Sequence, residues 1–437
     1  MYYVFFLKLP IIKEVFEIDN KKGKSPIREV IGHKNYLKWS LAVQLMRAPS
    51  LMTSLAFVII GYYATGSHTV GGLMVTVYTI SLTFFAVPGG RFVDKVGITK
   101  GLLFLLIGSA ISFLLLTLAT VFKAPSFILI ILAGLSGMFL AGAPGGFRTL
   151  LSRIVPRNLI SSAIAFDATM IEVVVVTSPL IAAAFSTIWK PGTGFAMVVA
   201  SLLSALLAYL LAKGSEDNKL ENESNVTESF AAPKSLWLNP RYIFWLLASI
   251  AFGHILGTAE TGAYPISQAF GGGANTAAIL IGVVAVFSIV SGLLYATFES
   301  KIKYSKFSQA CCLLVLITIG CFSLFLSESW LWLIISLVVI GTCTAPLMIV
   351  RSQAVELEIP EDRKSEGFSL INASHSIGFG LSGLFLAILP LDGMLLSGSI
   401  TGVIVLIMAP ILFSEKLYKK TAQKTIENDS KLPNTME

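Results

Sequence analysis

Six ionisable residues stand inside long apolar stretches of this chain: Arg47, Asp167, Glu172, His254, Glu260 and His375. Burying a charge in hydrocarbon is costly, so such groups pair with one another or face water. Asp167 and Glu172 are five residues apart, about 140° around a helix, and cannot address one partner equally well. Arg47 lies roughly 13 Å along its own stretch, between depths of about 11 and 19 Å for the two carboxylates. That predicts an ion pair between Arg47 and one carboxylate, leaving the other to exchange a proton. Glu172, deeper and followed by Val173–Val176, is the favoured proton carrier, because a low dielectric favours a carboxyl group that can become neutral. A purely structural ion pair is the competing reading. His254 sits mid-stretch and Glu260 near the end of the same stretch, where a solvated rim position is equally natural. His375, beside Asn372 and Ser374, reads as a hydrogen-bonded packing histidine before a cavity residue.

No HExxH, GxSxG or Walker loop occurs, nor any paired carboxylates outside the apolar stretches. No enzyme is expected, no cofactor is implied, and ATP cannot be used directly. Cys311, Cys312, Cys321 and Cys343 lie in apolar runs without CxxC spacing, which predicts packing in place of a metal site or disulfides.

The elements that position these residues follow from composition. Hydrophobic residues make up 55% of the 437 and charged ones 13%; mean hydropathy is +0.79. A soluble core could not bury that much apolar surface. Helices of about 20 apolar residues cross a bilayer, and twelve such stretches are expected: 38–63, 70–89, 100–122, 126–150, 159–188, 193–212, 241–266, 275–298, 306–327, 330–352, 365–389 and 393–414. All but Lys123, Lys190 and Arg47 of the 32 Lys and Arg residues fall on one side of that arrangement. The asymmetry predicts cytoplasmic N- and C-termini. It also explains the net charge of +7 as anchoring to anionic headgroups, with no nucleic-acid partner. The short apolar start, Met1–Pro10, lacks a leading basic region and reads as an interfacial arm in place of a cleaved signal.

Gly214–Ser235 is polar and acidic and divides six stretches from six. Arg148 to Pro156 is echoed by Arg351 to Pro360, and at an offset of 204 Ala163 meets Gly367. An all-α membrane protein follows, with twelve transmembrane helices in two pseudo-symmetric six-helix bundles. The expected boundaries are an arm at 1–36, bundles at 37–213 and 241–415, a linker at 214–240 and a tail at 416–437.

Between the second and third stretches stands Gly89-Gly90-Arg91-Phe92-Val93-Asp94-Lys95-Val96-Gly97-Ile98-Thr99-Lys100. It resembles the G-x-x-x-D-[RK]-x-G-x-[RK]-[RK] signature of the major facilitator superfamily, with Gly90, Asp94, Lys95, Gly97 and Lys100 on motif positions and Thr99 departing from it. Gly90 is expected to let two helices approach and Gly97 to permit a tight turn. The resemblance implies that Asp94 helps lock one of two alternating states, and that spans 1, 4, 7 and 10 line a cavity, which makes His254 and Glu260 lining candidates. The fifth stretch, from Phe166-Asp167 through Glu172 to Ser178-Pro179-Leu180, is similar to a prokaryotic efflux-type pattern. Ser178 and Ala182-Ala183 stand where that pattern has glycines. Arg148 and Arg351 are expected as membrane-surface anchors, or as a cytoplasmic latch with Asp94 or Glu366.

The expected protein is a monomeric, proton-coupled secondary transporter of the plasma membrane, exporting a small organic solute by alternating access among membrane lipids. Proton symport or uniport of a sugar or organic anion is the alternative, and a non-transporting receptor of the same fold a further one. An intact switching loop argues against the last.

Overall fold

In the computed structural model, residues 26–156, 159–216, 240–358 and 364–413 are described; the side chains of Glu172 and Glu366 lie outside the described set. The described chain is helical throughout. Span 1 is Lys34–Thr65, span 2 His68–Val96, span 3 Ile98–Val121 and span 4 the pair Ser126–Leu140 and Ala143–Ile154. Span 5 is Ile160–Ile188 and span 6 Gly192–Glu216. The second six are Pro240–Thr261 with the short Ala263–Ala269 (span 7), Ala274–Phe298, Lys306–Phe325, Trp330–Glu358, Lys364–Ile388 and Leu391–Leu412.

Eleven helices are long and apolar enough to cross a bilayer. Among the described residues of span 5, the continuous apolar part is the shorter Val173–Ile188. A helix satisfies its own backbone groups, as hydrocarbon requires of any spanning segment. The chain is a multi-pass membrane protein.

Local chemistry sets the turns. Gly66 takes φ 75° and donates its N–H to the Tyr62 carbonyl, closing span 1. Ser67 then caps span 2 by accepting from the Thr69 N–H. Side-chain exposure is inverted relative to a soluble helix. Span 3 turns Phe104, Ile107, Ile111 and Leu115 outward to lipid, and buries Ser109, Ser112, Thr117 and Thr120.

Packing divides the helices into two sets. Span 1 packs on spans 2, 5 and 6, span 2 on span 4, and spans 4 and 6 on span 3; span 7 packs on spans 11 and 12, and span 10 on spans 8 and 9. The sets meet where span 11 lies on span 2 and span 8 on span 5. The repeat recurs in hydrogen bonding. Tyr36 of span 1 donates to the Ala163 carbonyl of span 5 at 2.7 Å, and Tyr242 of span 7 donates to the Gly367 carbonyl of span 11 at 2.9 Å.

The signature loop holds one correction. Gly90 has open space around its Cα, so it is not the point of close approach. Gly89 is: a Cβ there would stand 2.9 Å from Gly142 Cα, where span 4 breaks between its two helices. Gly97 does make the turn, at φ 97°, and lets Gly101 settle against Val93.

Candidate functional site

Arg47 of span 1 and Asp167 of span 5 form a bidentate ion pair. The Arg47 Nη1 donates to Asp167 Oδ1 at 2.8 Å and Nη2 to Oδ2 at 2.9 Å. Gln44, one turn before Arg47, adds its Nε2 to Oδ1 at 2.8 Å. Planar guanidinium and carboxylate match in this fork, the strongest ion-pair geometry available to side chains. The pair is not sealed: the side chains are 26% and 14% exposed. Tyr36 closes one flank, with its ring at the edge of Phe166. Depth left the choice between the two carboxylates open, and the partner is Asp167. Gln44 was missed, although its position three residues before Arg47 puts both on one helix face.

The other intramembrane residues part company. His254 does not line an open cavity; its residue is 0% exposed. Its Nδ1 lies 2.8 Å from the Thr401 hydroxyl and its Nε2 3.2 Å from that of Ser397, both on span 12. Phe385 of span 11 stacks on its ring. A histidine with both nitrogens engaged inside one bundle is a packing element, and only the positions of Ser397 and Thr401, four residues apart, hinted at it. Glu260 is half-buried. Its carboxyl approaches Ser54 of span 1 across the two halves, but the Ser54 hydroxyl stays outside hydrogen-bond geometry. His375 stacks obliquely on Phe252 at 5.0 Å.

Around Glu260 the two halves are closed. Leu55, Ile59 and Ala183 from the first set form one apolar cluster with Ala263, Ala277 and Ile281 from the second. Tyr264 of the second set packs edge-on against Tyr62 and His68, which stack on each other at 4.6 Å. The Thr76 hydroxyl donates to the Gly380 carbonyl at 3.0 Å, and Gly72 meets Gly383 backbone to backbone. All of these contacts lie at the end of the molecule away from the signature loop. A recess of about 670 Å³ remains outside them, lined by Tyr62, Tyr63, Trp189, Lys190 and Tyr264 among others.

At the signature-loop end, Asp94, Lys95, Lys100 and Arg148 are exposed. Among the described residues the ion pairs are Arg47–Asp167 and Lys306–Glu299, so a latch between Asp94 and Arg148 is not made in this conformation. Arg351 differs from its repeat partner Arg148: it is buried, with its guanidinium over the Phe252 ring at 5.6 Å. Arg351 does not present its charge at the protein surface as an anchor would, because its side chain packs inside the second half. No cluster of three or more His, Cys, Asp or Glu able to hold a metal occurs among the described residues.

Two pseudo-symmetric six-helix sets, joined along spans 2–11 and 5–8, give the architecture of a membrane transporter. The family pattern described as Major Facilitator Superfamily matches residues 41–317 and 261–433, and the chain belongs to that transporter family. No curated protein matches it in sequence. Among solved structures it is similar to the nucleoside transporter NupG, at 14% identity and a TM-score of 0.66 over 87% of this chain and 100% of that one. It is likewise similar to a peptide transporter, POT, at 12% identity and a TM-score of 0.67 over 87% and 95%. A D-xylose–proton symporter matches at 13% and 0.65 over 87% and 96%. At these identities the likeness is one of fold.

Proposed function

We propose that this protein moves a small organic solute across the plasma membrane in exchange for protons, and that the Arg47–Asp167 pair is its proton-responsive element. One observation carries the reading: a bidentate pair joining spans 1 and 5 that solvent still reaches. A proton on Asp167 removes the charge that both bonds depend on. Arg47 is then released, and spans 1 and 5 lose the tie that fixes their relative position. Glu172, five residues further along span 5, is the second proton site. Glu260, beside Ser54 under the closed end, faces the solute path from the other half.

In this reading both termini and the signature loop face the cytoplasm, the protein works as a monomer, and bundles 37–213 and 241–415 rock about the solute. The conformation described above is then closed to the outside. Export rests on the efflux-type pattern of span 5. Proton-linked uptake is the second reading, favoured by the likeness to a D-xylose–proton symporter.

Flux through proteoliposomes under an imposed pH gradient tests the proposal. Wild type is expected to move at least one member of a broad solute panel in a gradient-dependent way, and Asp167→Asn to lose that dependence. Gradient-independent behaviour across the whole panel would sink proton coupling. Loss confined to Glu172→Gln would move the coupling site.

A further inference from the structure

The recess of about 670 Å³ at the end away from the signature loop is shared by the two halves. The first half supplies Tyr62 and Tyr63, from the last turn of span 1, and Trp189 and Lys190, which follow span 5. The second half supplies Tyr264 and, at the start of span 8, Gly273. Ile59 belongs both to the lining and to the apolar cluster that closes the halves on each other. The recess therefore ends on that cluster and does not run through to the interior. At its other edge it reaches Ile188, which is 84% exposed. Ile188, Phe185 and Ile181 are exposed at steps of three and four residues, so one apolar face of span 5 continues from the recess along the helix. In a membrane-spanning chain such a face meets lipid tails.

The charge in the recess is unbalanced. The Lys190 ammonium lies 5.7 Å from the centre of the Tyr63 ring. It makes no ion pair among the described residues, and no carboxylate lines the recess. Gly273, the N-cap of span 8, offers no side chain to the N–H groups that follow it, so the helix end adds to the positive potential. Trp, Tyr and Lys are ordinary at a membrane boundary, where each keeps an apolar body in lipid and a polar tip in water. Here they enclose a space between two halves. That space suits one anionic group with a small polar body, beside a track for an alkyl chain.

We propose that the recess seats the headgroup of an anionic phospholipid, with its phosphate against Lys190 and an acyl chain along Ile188, Phe185 and Ile181. The phosphate carries the one negative charge that Lys190 lacks, and the rings of Tyr62, Tyr63 and Trp189 enclose the rest of the headgroup. The inference needs only a membrane-spanning chain and stands apart from proton coupling. Because both halves line the recess, a bound lipid bridges the seam and favours the closed arrangement of this end.

Native mass spectrometry of the detergent-purified full chain tests this, with phosphatidylglycerol and phosphatidylcholine of identical acyl chains at equal concentration. Wild type should retain phosphatidylglycerol in preference. Lys190→Gln should weaken that preference about fivefold, and Lys190→Arg should keep it. Lys123→Gln, in the turn between spans 3 and 4, removes an exposed lysine outside the recess and should leave the preference unchanged. Equal retention of the two lipids by wild type overturns the proposal, as does an unchanged preference in Lys190→Gln. An equal loss in Lys123→Gln would reduce the effect to general surface charge and overturns it too. Preference for phosphatidylcholine would assign the rings to a quaternary ammonium, and displacement of the lipid by soluble benzoate would make the recess a solute site; either result overturns the lipid seat.

Discussion

The two halves solve the same packing problem with opposite chemistry. In the first, the seam between spans 1 and 5 is held by Arg47, Gln44 and Asp167. In the second, the matching seam between spans 7 and 11 is closed by glycine: a Cβ on Gly253 would run into the His375 carbonyl, and one on Gly378 into the Ile250 carbonyl. Backbone contact of this kind has one packed state, whereas an ion pair can be made or broken by a proton. The loops repeat the contrast. Glu299, after span 8, accepts from Lys306 and from Gln353 of span 10 at 2.8 and 2.7 Å. Asp94, after span 2, is exposed and makes no ion pair among the described residues. The second half is a tied frame. The first holds the parts that can switch.

The contrast can be broken experimentally. Gly378→Val should cost the most, about 3 kcal/mol or more by overpacking, read as loss of monodisperse protein. A well-folded Gly378→Val would mean the second seam is looser than drawn. Arg47→Met should come next, at about 1–3 kcal/mol, since the pair is partly solvated and the cost falls short of that for a sealed one. The double variant Arg47→Met with Asp167→Leu should recover most of that loss while abolishing transport, which a double-mutant thermal cycle and flux assay would show together. Additive losses would reduce the pair to two unrelated groups.

Smaller effects sharpen the picture. Thr76→Val removes the hydrogen bond to Gly380 and should weaken the closed end by about 0.5–1.5 kcal/mol. Thiol labelling of a cysteine placed at Tyr264 would then speed up; unchanged labelling would deny Thr76 a part in closure. The smallest concerns Glu299. The hydrogen bond from Lys306 holds its carboxyl below the ordinary carboxylate range, with Gln353 adding to it and partial burial opposing. A carboxyl depressed in the folded state contributes stability above its unfolded value, and loses it as pH falls through the folded one. Glu299→Gln should therefore flatten the acid side of the pH–Tm curve slightly. A steeper acid side would contradict the tie.

Much of this was legible in the sequence, for reasons that can be named. Hydropathy found all twelve helices because hydrocarbon demands continuous apolar helix. Depth along a regular helix put Arg47 between Asp167 and Glu172 without choosing between them. What escaped was rotation. Spacing alone cannot tell that His254 turns to Ser397 and Thr401 in its own bundle, that Gly89 and not Gly90 meets span 4, or that Arg351 points inward while Arg148 stays at the surface. Those outcomes depend on which face of a helix meets which neighbour, and a helix apolar on nearly every side leaves that face unmarked.

The central claim is that a proton on Asp167 releases Arg47. Infrared difference spectroscopy of the full chain in lipid, recorded across an acid titration, reads the protonated carboxyl C=O stretch directly. The account predicts a band with a component that is lost in Asp167→Asn and kept in Glu172→Gln. A band unchanged in Asp167→Asn would contradict it.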